Sequence, residues 1–95
     1  MNETYIKQQV LKKLRKKYPT AWIKKICDRF TKGTPDIICC INGLFIAVEL
    51  KTLNGVIKPI QTHEIRLINE AGGKAFVARS VSEVLKEVEE YVGKC

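Results

Sequence analysis

Residues 33 to 52, GTPDIICCINGLFIAVELKT, constrain this chain more than any other stretch. Two runs rich in Ile, Val and Phe, residues 35 to 41 and 44 to 51, flank Asn42-Gly43, the dipeptide favoured in two-residue type I′ hairpin turns. With that turn, facing residues have numbers that sum to 85, so Ile41 faces Leu44 and Asp36 faces Glu49. Side chains alternate along a strand, which puts Ile37, Cys39, Ile41, Leu44, Ile46, Val48 and Leu50 on one wholly apolar face. Asp36, Ile38, Cys40, Phe45, Ala47, Glu49 and Lys51 share the other. That second face is apolar near the turn and charged at the far end.

Opposed carboxylates on a sheet have Cβ atoms about 4.5 to 5.5 Å apart and repel one another. A hard divalent cation offsets the repulsion, because Mg²⁺ takes one or two carboxylates, keeps several waters and meets phosphate oxygens with its other positions. Lys51, one side-chain step beyond Glu49, is then placed to serve a water or to steady charge developing on a phosphate. The competing reading is a salt-bridged strand end in which Lys51 neutralises two solvated carboxylates. The opposed register and a basic first helix favour the cation.

The rest of the chain supplies the elements around the hairpin. Ile6, Val10, Leu11, Leu14 and Tyr18 recur at helical spacing over residues 3 to 18, and Pro19 follows where the helix should stop. Lys7, Lys12, Lys13, Arg15, Lys16 and Lys17 occupy its other faces. A strand is expected at residues 21 to 27, a loop at Thr52 to Lys58, and a helix from Pro59 to about Ala71, ended by Gly72-Gly73. Lys74 to Arg79 reads as a strand, and Ser80 with Glu83 as a capping box before a last helix with Val84, Leu85, Val88 and Val92 on one face. The order is α, β, β, β, α, β, α. An α/β fold is expected, a single domain over residues 1 to 95 with a central mixed sheet flanked by helices, since 95 residues leave no material for a second core.

The net charge of +7 is concentrated: residues 1 to 33 hold ten Lys or Arg against Glu3 and Asp28, whereas residues 34 to 95 hold seven against eight acids. Such a region attracts polyanions and releases counterions from nucleic acid, which makes nucleic acid the leading partner class ahead of a merely solvated helix face. No run approaches the ~18 apolar residues of a membrane span, and MNETYIKQQ lacks the features of a signal peptide, so no membrane partner and a cytoplasmic location are expected. Cys27, Cys39, Cys40 and Cys95 show no CxxC spacing, and the adjacent pair points to opposite faces of a strand. They read as free thiols, Cys39 and Cys40 packing as small hydrophobes.

Pro35-Asp36 followed by Glu49-Leu50-Lys51 resembles the PD-(D/E)XK nuclease signature, in which a hairpin supplies acid, acid and lysine. A helix before it, the Gly33-Thr34-Pro35-Asp36 lead-in, a helix near Gln61, Gly72-Gly73 and a strand ending Val77-Ala78-Arg79 extend the likeness. The whole pattern is similar to a stand-alone VRR-NUC domain, the virus-type replication-repair nucleases. That resemblance implies a restriction-endonuclease-like core, Mg²⁺ or Mn²⁺ dependence and hydrolysis of DNA phosphodiester bonds. It makes Asp36 and Glu49 metal ligands, the Leu50 carbonyl a third, and Lys51 the residue that serves the attacking water. Gln61 matches a position near the site, and Glu3 matches a first-helix acid used as an extra metal contact.

Lys32 is expected to meet the DNA backbone, with Lys12, Lys13, Lys16 and Lys17 doing so more loosely. His63 reads as a partly exposed helix residue in preference to a phosphate contact. Stand-alone members of the resembled family are thought to act as homodimers, so paired cuts in a four-way (Holliday) junction are the expected activity. A flap or fork nuclease, and a non-catalytic DNA-binding accessory protein, are the alternatives. A viral or mobile-element source is implied by the resemblance alone.

Overall fold

The computed structural model describes residues 2–27 and 32–94. Asp28 and Cys95, weighed above for charge and thiol chemistry, lie outside the described residues. The elements follow the expected order: α1 (Glu3–Lys17), β1 (Trp22–Lys25), β2 (Ile37–Ile41), β3 (Leu44–Leu50), α2 (Pro59–Glu70), β4 (Lys74–Ala78) and α3 (Val81–Lys94). The strands form one sheet in the order β1-β2-β3-β4, antiparallel across the first three and parallel between β3 and β4, with α2 as the crossover. It is therefore a mixed sheet.

The hairpin has the register that its turn dictates, Ile37 facing Val48 and Ile41 facing Leu44. Asn42 and Gly43 have φ of 52° and 81°, the two positive values that a type I′ turn requires. The apolar face of the hairpin is the core: Ile37, Cys39, Ile41, Ile46, Val48 and Leu50 pack with Ile6, Val10 and Leu14 of α1 and Val84 and Val88 of α3. Burying a side chain of this size contributes roughly 1.5–3 kcal/mol, so this face decides which way the hairpin lies.

The other face is covered less completely. α2 packs against β4 but buries no residue fully. Cys40 is exposed and Phe45 and Trp22 are 42% and 52% exposed, so Cys40 does not pack as Cys39 does. Strand alternation assigns a face, whereas the width of α2 decides how much of that face is covered. Asn69 of α2 accepts from the Ala75 N–H at 2.8 Å and donates to its carbonyl at 3.1 Å, which occupies part of the free edge of β4.

Three helix ends match their sequence signals in different degrees. Asn2 caps α1 by accepting from the Tyr5 N–H at 2.8 Å. Ser80 Oγ accepts from the Glu83 N–H, but the Glu83 carboxylate reaches back to the Arg79 N–H at 2.6 Å, one residue beyond the position a capping box uses. At α2 the Gln61 Oε1 accepts from the Lys58 N–H at 2.9 Å, with Pro59 in the first turn. Among the described residues no helix is long and apolar enough to cross a membrane.

Candidate metal centre on the hairpin

β3 is a central strand, and residues Ile46 to Leu50 are all buried. Glu49 is consequently 2% exposed, the only charged residue among those buried in the described chain. Asp36 lies one residue before β2, where its carbonyl still accepts from the Ile26 N–H at 2.8 Å and holds β1 alongside. Its Oδ2 accepts from the Leu50 N–H at 2.7 Å, so the side chain bridges to β3 and faces Glu49 as the register requires. Leu50 itself is core, and only its backbone borders the site.

α1 completes the cluster. One carboxylate oxygen each from Glu3, Asp36 and Glu49 lie within 4.8 Å of one another. Helical residues advance about 100° each, so Glu3 and Lys7 continue the stripe of Val10 and Leu14 past the end of the apolar core. The stripe that buries the helix thus carries Glu3 and Lys7 over the carboxylate end of the sheet. Lys7 Nζ lies 3.2 Å from Asp36 Oδ1, and Lys51 Nζ lies 3.9 Å from Glu49 Oε2.

Burial, a hydrogen bond with Asp36 and the charge of Asp36 push the Glu49 carboxyl up from 4.5 to about 8, with Lys51 opposing and Glu3 adding to the rise. Desolvation penalises the charged form and two adjacent acids resist ionising together. The donor set is all hard oxygen, two or three carboxylates with polar backbone nearby, which fits Mg²⁺ or Mn²⁺ and not a soft ion. A buried carboxylate short of positive charge is the feature such a cation relieves.

Gly33 sets the approach to Asp36. Its φ is +85°, and a Cβ there would stand 2.8 Å from the Ile60 carbonyl oxygen and 3.1 Å from Glu64 Cγ. Only glycine lets the lead-in pass this close to the first turns of α2. The result is an open cleft of about 470 Å³ lined by Lys7, Lys32, Asp36, Lys58 and Gln61 among others. A more apolar cleft of about 530 Å³, bordered by Ile6, Leu53, Arg79 and Val81, carries no acid. Of the clustered acids, Asp36 borders the first cleft. Arg79 Nη1 donates to the carbonyls of Thr52 at 2.6 Å and Gly55 at 2.8 Å, which holds the loop that follows Lys51.

The structure thus brings together Glu3, Asp36, Glu49 and Lys51, with Gln61 and Lys32 on the cleft wall. Gln61 spends its Oε1 on the end of α2. Lys12, Lys13, Lys16 and Lys17 are exposed, but Lys12 and Lys16 point roughly 140° or more away from the stripe of Glu3 and Lys7. Lys17 is bound to Glu89 of α3 at 2.7 Å. His63 is exposed, with Nδ1 3.0 Å from Arg66 Nη2, outside the cleft. Lys7 was legible only as one of the basic residues of α1. Its i, i+4 spacing from Glu3, in line with Val10 and Leu14, was the available signal.

A helix-flanked mixed sheet whose hairpin presents acid, acid and lysine is the arrangement of the PD-(D/E)XK class of nucleases. Residues 1–82 match the family model of the VRR-NUC domain, a span that includes the whole sheet and the site. The chain belongs to the VRR-NUC family, which implies such a nuclease with DNA as substrate. A solved structure described as a VRR_NUC domain is similar to it, with 25% sequence identity and a TM-score of 0.69, over 88% of this chain and 95% of that one. No curated protein matches.

Proposed function

We propose that this protein is a divalent-metal-dependent, structure-selective endodeoxyribonuclease that cuts four-way DNA junctions as a homodimer. The observation that carries the metal-dependent part is the convergence of Glu3, Asp36 and Glu49 within 4.8 Å, with Lys51 3.9 Å from Glu49. Asp36 and Glu49 would hold the ion, with Glu3 and the Leu50 carbonyl as further oxygen donors. When bound, Mg²⁺ or Mn²⁺ supplies Lewis-acid stabilisation of charge on the phosphate and acidifies a nearby water.

The chain's own residues do the remaining work. Asp36 is fixed by the Leu50 N–H, so its other oxygen keeps a constant position. Lys51, held at the start of a loop that Arg79 grips, orients the attacking water and steadies the charge that grows on the phosphate. Water oxygen bonds to phosphorus as one P–O ester bond breaks, leaving a phosphate on one fragment and a hydroxyl on the other. Gln61 and Lys32 border the groove along which the strand would run.

Junction selectivity rests on a different argument. Among the described residues one such carboxylate cluster is present, and two related copies can make paired cuts on a two-fold-symmetric junction. Recognition of DNA shape in preference to base sequence belongs to this proposal. The test is cleavage of end-labelled junctions, flaps, forks, duplexes and single strands with Mg²⁺, Mn²⁺ or EDTA, alongside Lys51→Ala. Symmetric junction cuts lost with EDTA and with Lys51→Ala are expected, from a protein that sediments as a dimer on the junction. Cuts confined to flaps or forks would replace the substrate, and salt-sensitive binding with no cut in either metal would make the protein an accessory DNA-binding module.

A further inference from the structure

Asp36 has two carboxylate oxygens, and both are engaged in the structure. Oδ2 accepts from the Leu50 N–H at 2.7 Å, a contact that ties the Asp36 carboxylate to β3. Oδ1 carries no backbone hydrogen bond among those described, which makes it the oxygen with more capacity for a cation, and Lys7 Nζ stands 3.2 Å from it. The pair is sheltered, with side chains only 22% and 16% exposed. An ammonium and a divalent cation at the same oxygen repel each other strongly in such surroundings.

We propose that Lys7 is an exchangeable counter-ion of this site, a reading that rests on the metal-dependent nuclease function above. While no divalent ion is bound, the ammonium neutralises Asp36 and keeps the hairpin end in place. When the ion takes Oδ1, Lys7 swings on its flexible stem into the cleft of about 470 Å³ that it already lines, and meets a phosphate oxygen of the DNA there. The charge count supports the exchange. Glu3, Asp36 and Glu49 offer at most three negative charges, and Lys7 with Lys51 offers two positive ones. A divalent ion added with Lys7 left in place would make the cluster net positive, whereas withdrawal of Lys7 restores balance.

The proposal makes two predictions of opposite sign for Lys7→Met, which keeps the apolar stem and removes the charge. Mn²⁺ binding without DNA, followed by calorimetry and by the spin-resonance signal of free Mn²⁺, should tighten about tenfold. Binding of a four-way junction with Ca²⁺ in place of Mg²⁺ should weaken about fivefold, and its salt slope should fall by roughly one phosphate contact. Lys7→Arg should restore the salt slope. A merely structural Lys7 would instead lower both affinities on replacement, because Asp36 would lose its alignment.

Unchanged or weaker Mn²⁺ binding by a Lys7→Met protein whose circular dichroism matches wild type would overturn the exchange, even if wild type cuts DNA. Tighter Mn²⁺ binding by the variant, with no DNA cleavage by wild type in any metal, would uphold competition at Asp36 and remove the nuclease reading. Those two failures are thus separable.

Discussion

Replacing Glu49 by glutamine tests the electrostatics of the site without any assumption about DNA. Glu49 is 2% exposed and its carboxyl is raised from 4.5 to about 8 by burial and by Asp36. Between those pH values the folded protein holds a proton that the unfolded chain has released. Stability in EDTA must therefore fall as pH rises through that window, with a limiting slope of about 1.4 kcal/mol per pH unit. The contribution is fully present below the unfolded value and lost as pH passes the folded one. Across the window the loss amounts to several kcal/mol, a large share of the 5–15 kcal/mol typical of a domain.

Glu49→Gln has nearly the same shape, and its amide can donate to Asp36 as the protonated acid does. It removes the titration while leaving the packing of β3. The variant and wild type should have equal stability near pH 5, and the variant should be the more stable at pH 9 by several kcal/mol. At about 4–8 °C per kcal/mol for a domain of this size, that is a difference of more than 10 °C in Tm. Urea and thermal unfolding in EDTA from pH 4.5 to pH 9.5 measure it. A wild-type profile parallel to that of Glu49→Gln across the window would refute the reasoning, because it would mean that burial leaves Glu49 with its ordinary proton affinity.

Two further outcomes follow from backbone and surface geometry. Gly33→Ala places a Cβ 2.8 Å from the Ile60 carbonyl oxygen at a φ of +85°, so urea denaturation should show a loss of about 2–4 kcal/mol, with displacement of α2 from the cleft. Replacing Lys12, Lys13 and Lys16 together by glutamine should reduce the salt slope of DNA binding and leave the cleavage rate at saturating DNA unchanged, since Lys12 and Lys16 face away from the carboxylates. A fall in that saturated rate would place these side chains nearer the reaction than α1 allows.

How much of this was legible in the sequence depends on the range of the interaction involved. The Asn42-Gly43 turn fixes the hairpin register locally, so the facing of Asp36 and Glu49 followed from residue types and counting. Contacts between elements were less visible. Cys40 has the same neighbours in sequence as Cys39, yet its exposure depends on where α2 ends its cover of the sheet. Lys17 looked like a free basic residue, and its partner Glu89 lies in the last helix. Glu3 was tied to the site by the family resemblance alone, and Lys7 read only as one of the basic residues of α1. The helical stripe puts both on the face of Val10 and Leu14, but how far α1 overruns the sheet, which carries them over the carboxylates, is a tertiary fact that the stripe does not record.

The two acids of the hairpin differ for a topological reason. Asp36 lies just before the start of β2, outside the strand itself, and finds partners at once, the Leu50 N–H and the Lys7 ammonium. Glu49 sits inside the central strand, covered on both faces, with Lys51 3.9 Å away as its nearest cation. The fold thus provides one anchored carboxylate and one whose charge is costly until positive charge arrives. A ligand that binds only the folded state stabilises it by RT ln(1 + [L]/Kd), about 2.7 kcal/mol at a hundredfold excess over Kd. Here a divalent ion would also release the proton that Glu49 holds, so its stabilisation of wild type should grow with pH from 5 to 8. In Glu49→Gln that growth should vanish, and a gain in Tm from Mn²⁺ that rises equally with pH in both proteins would place the ion elsewhere.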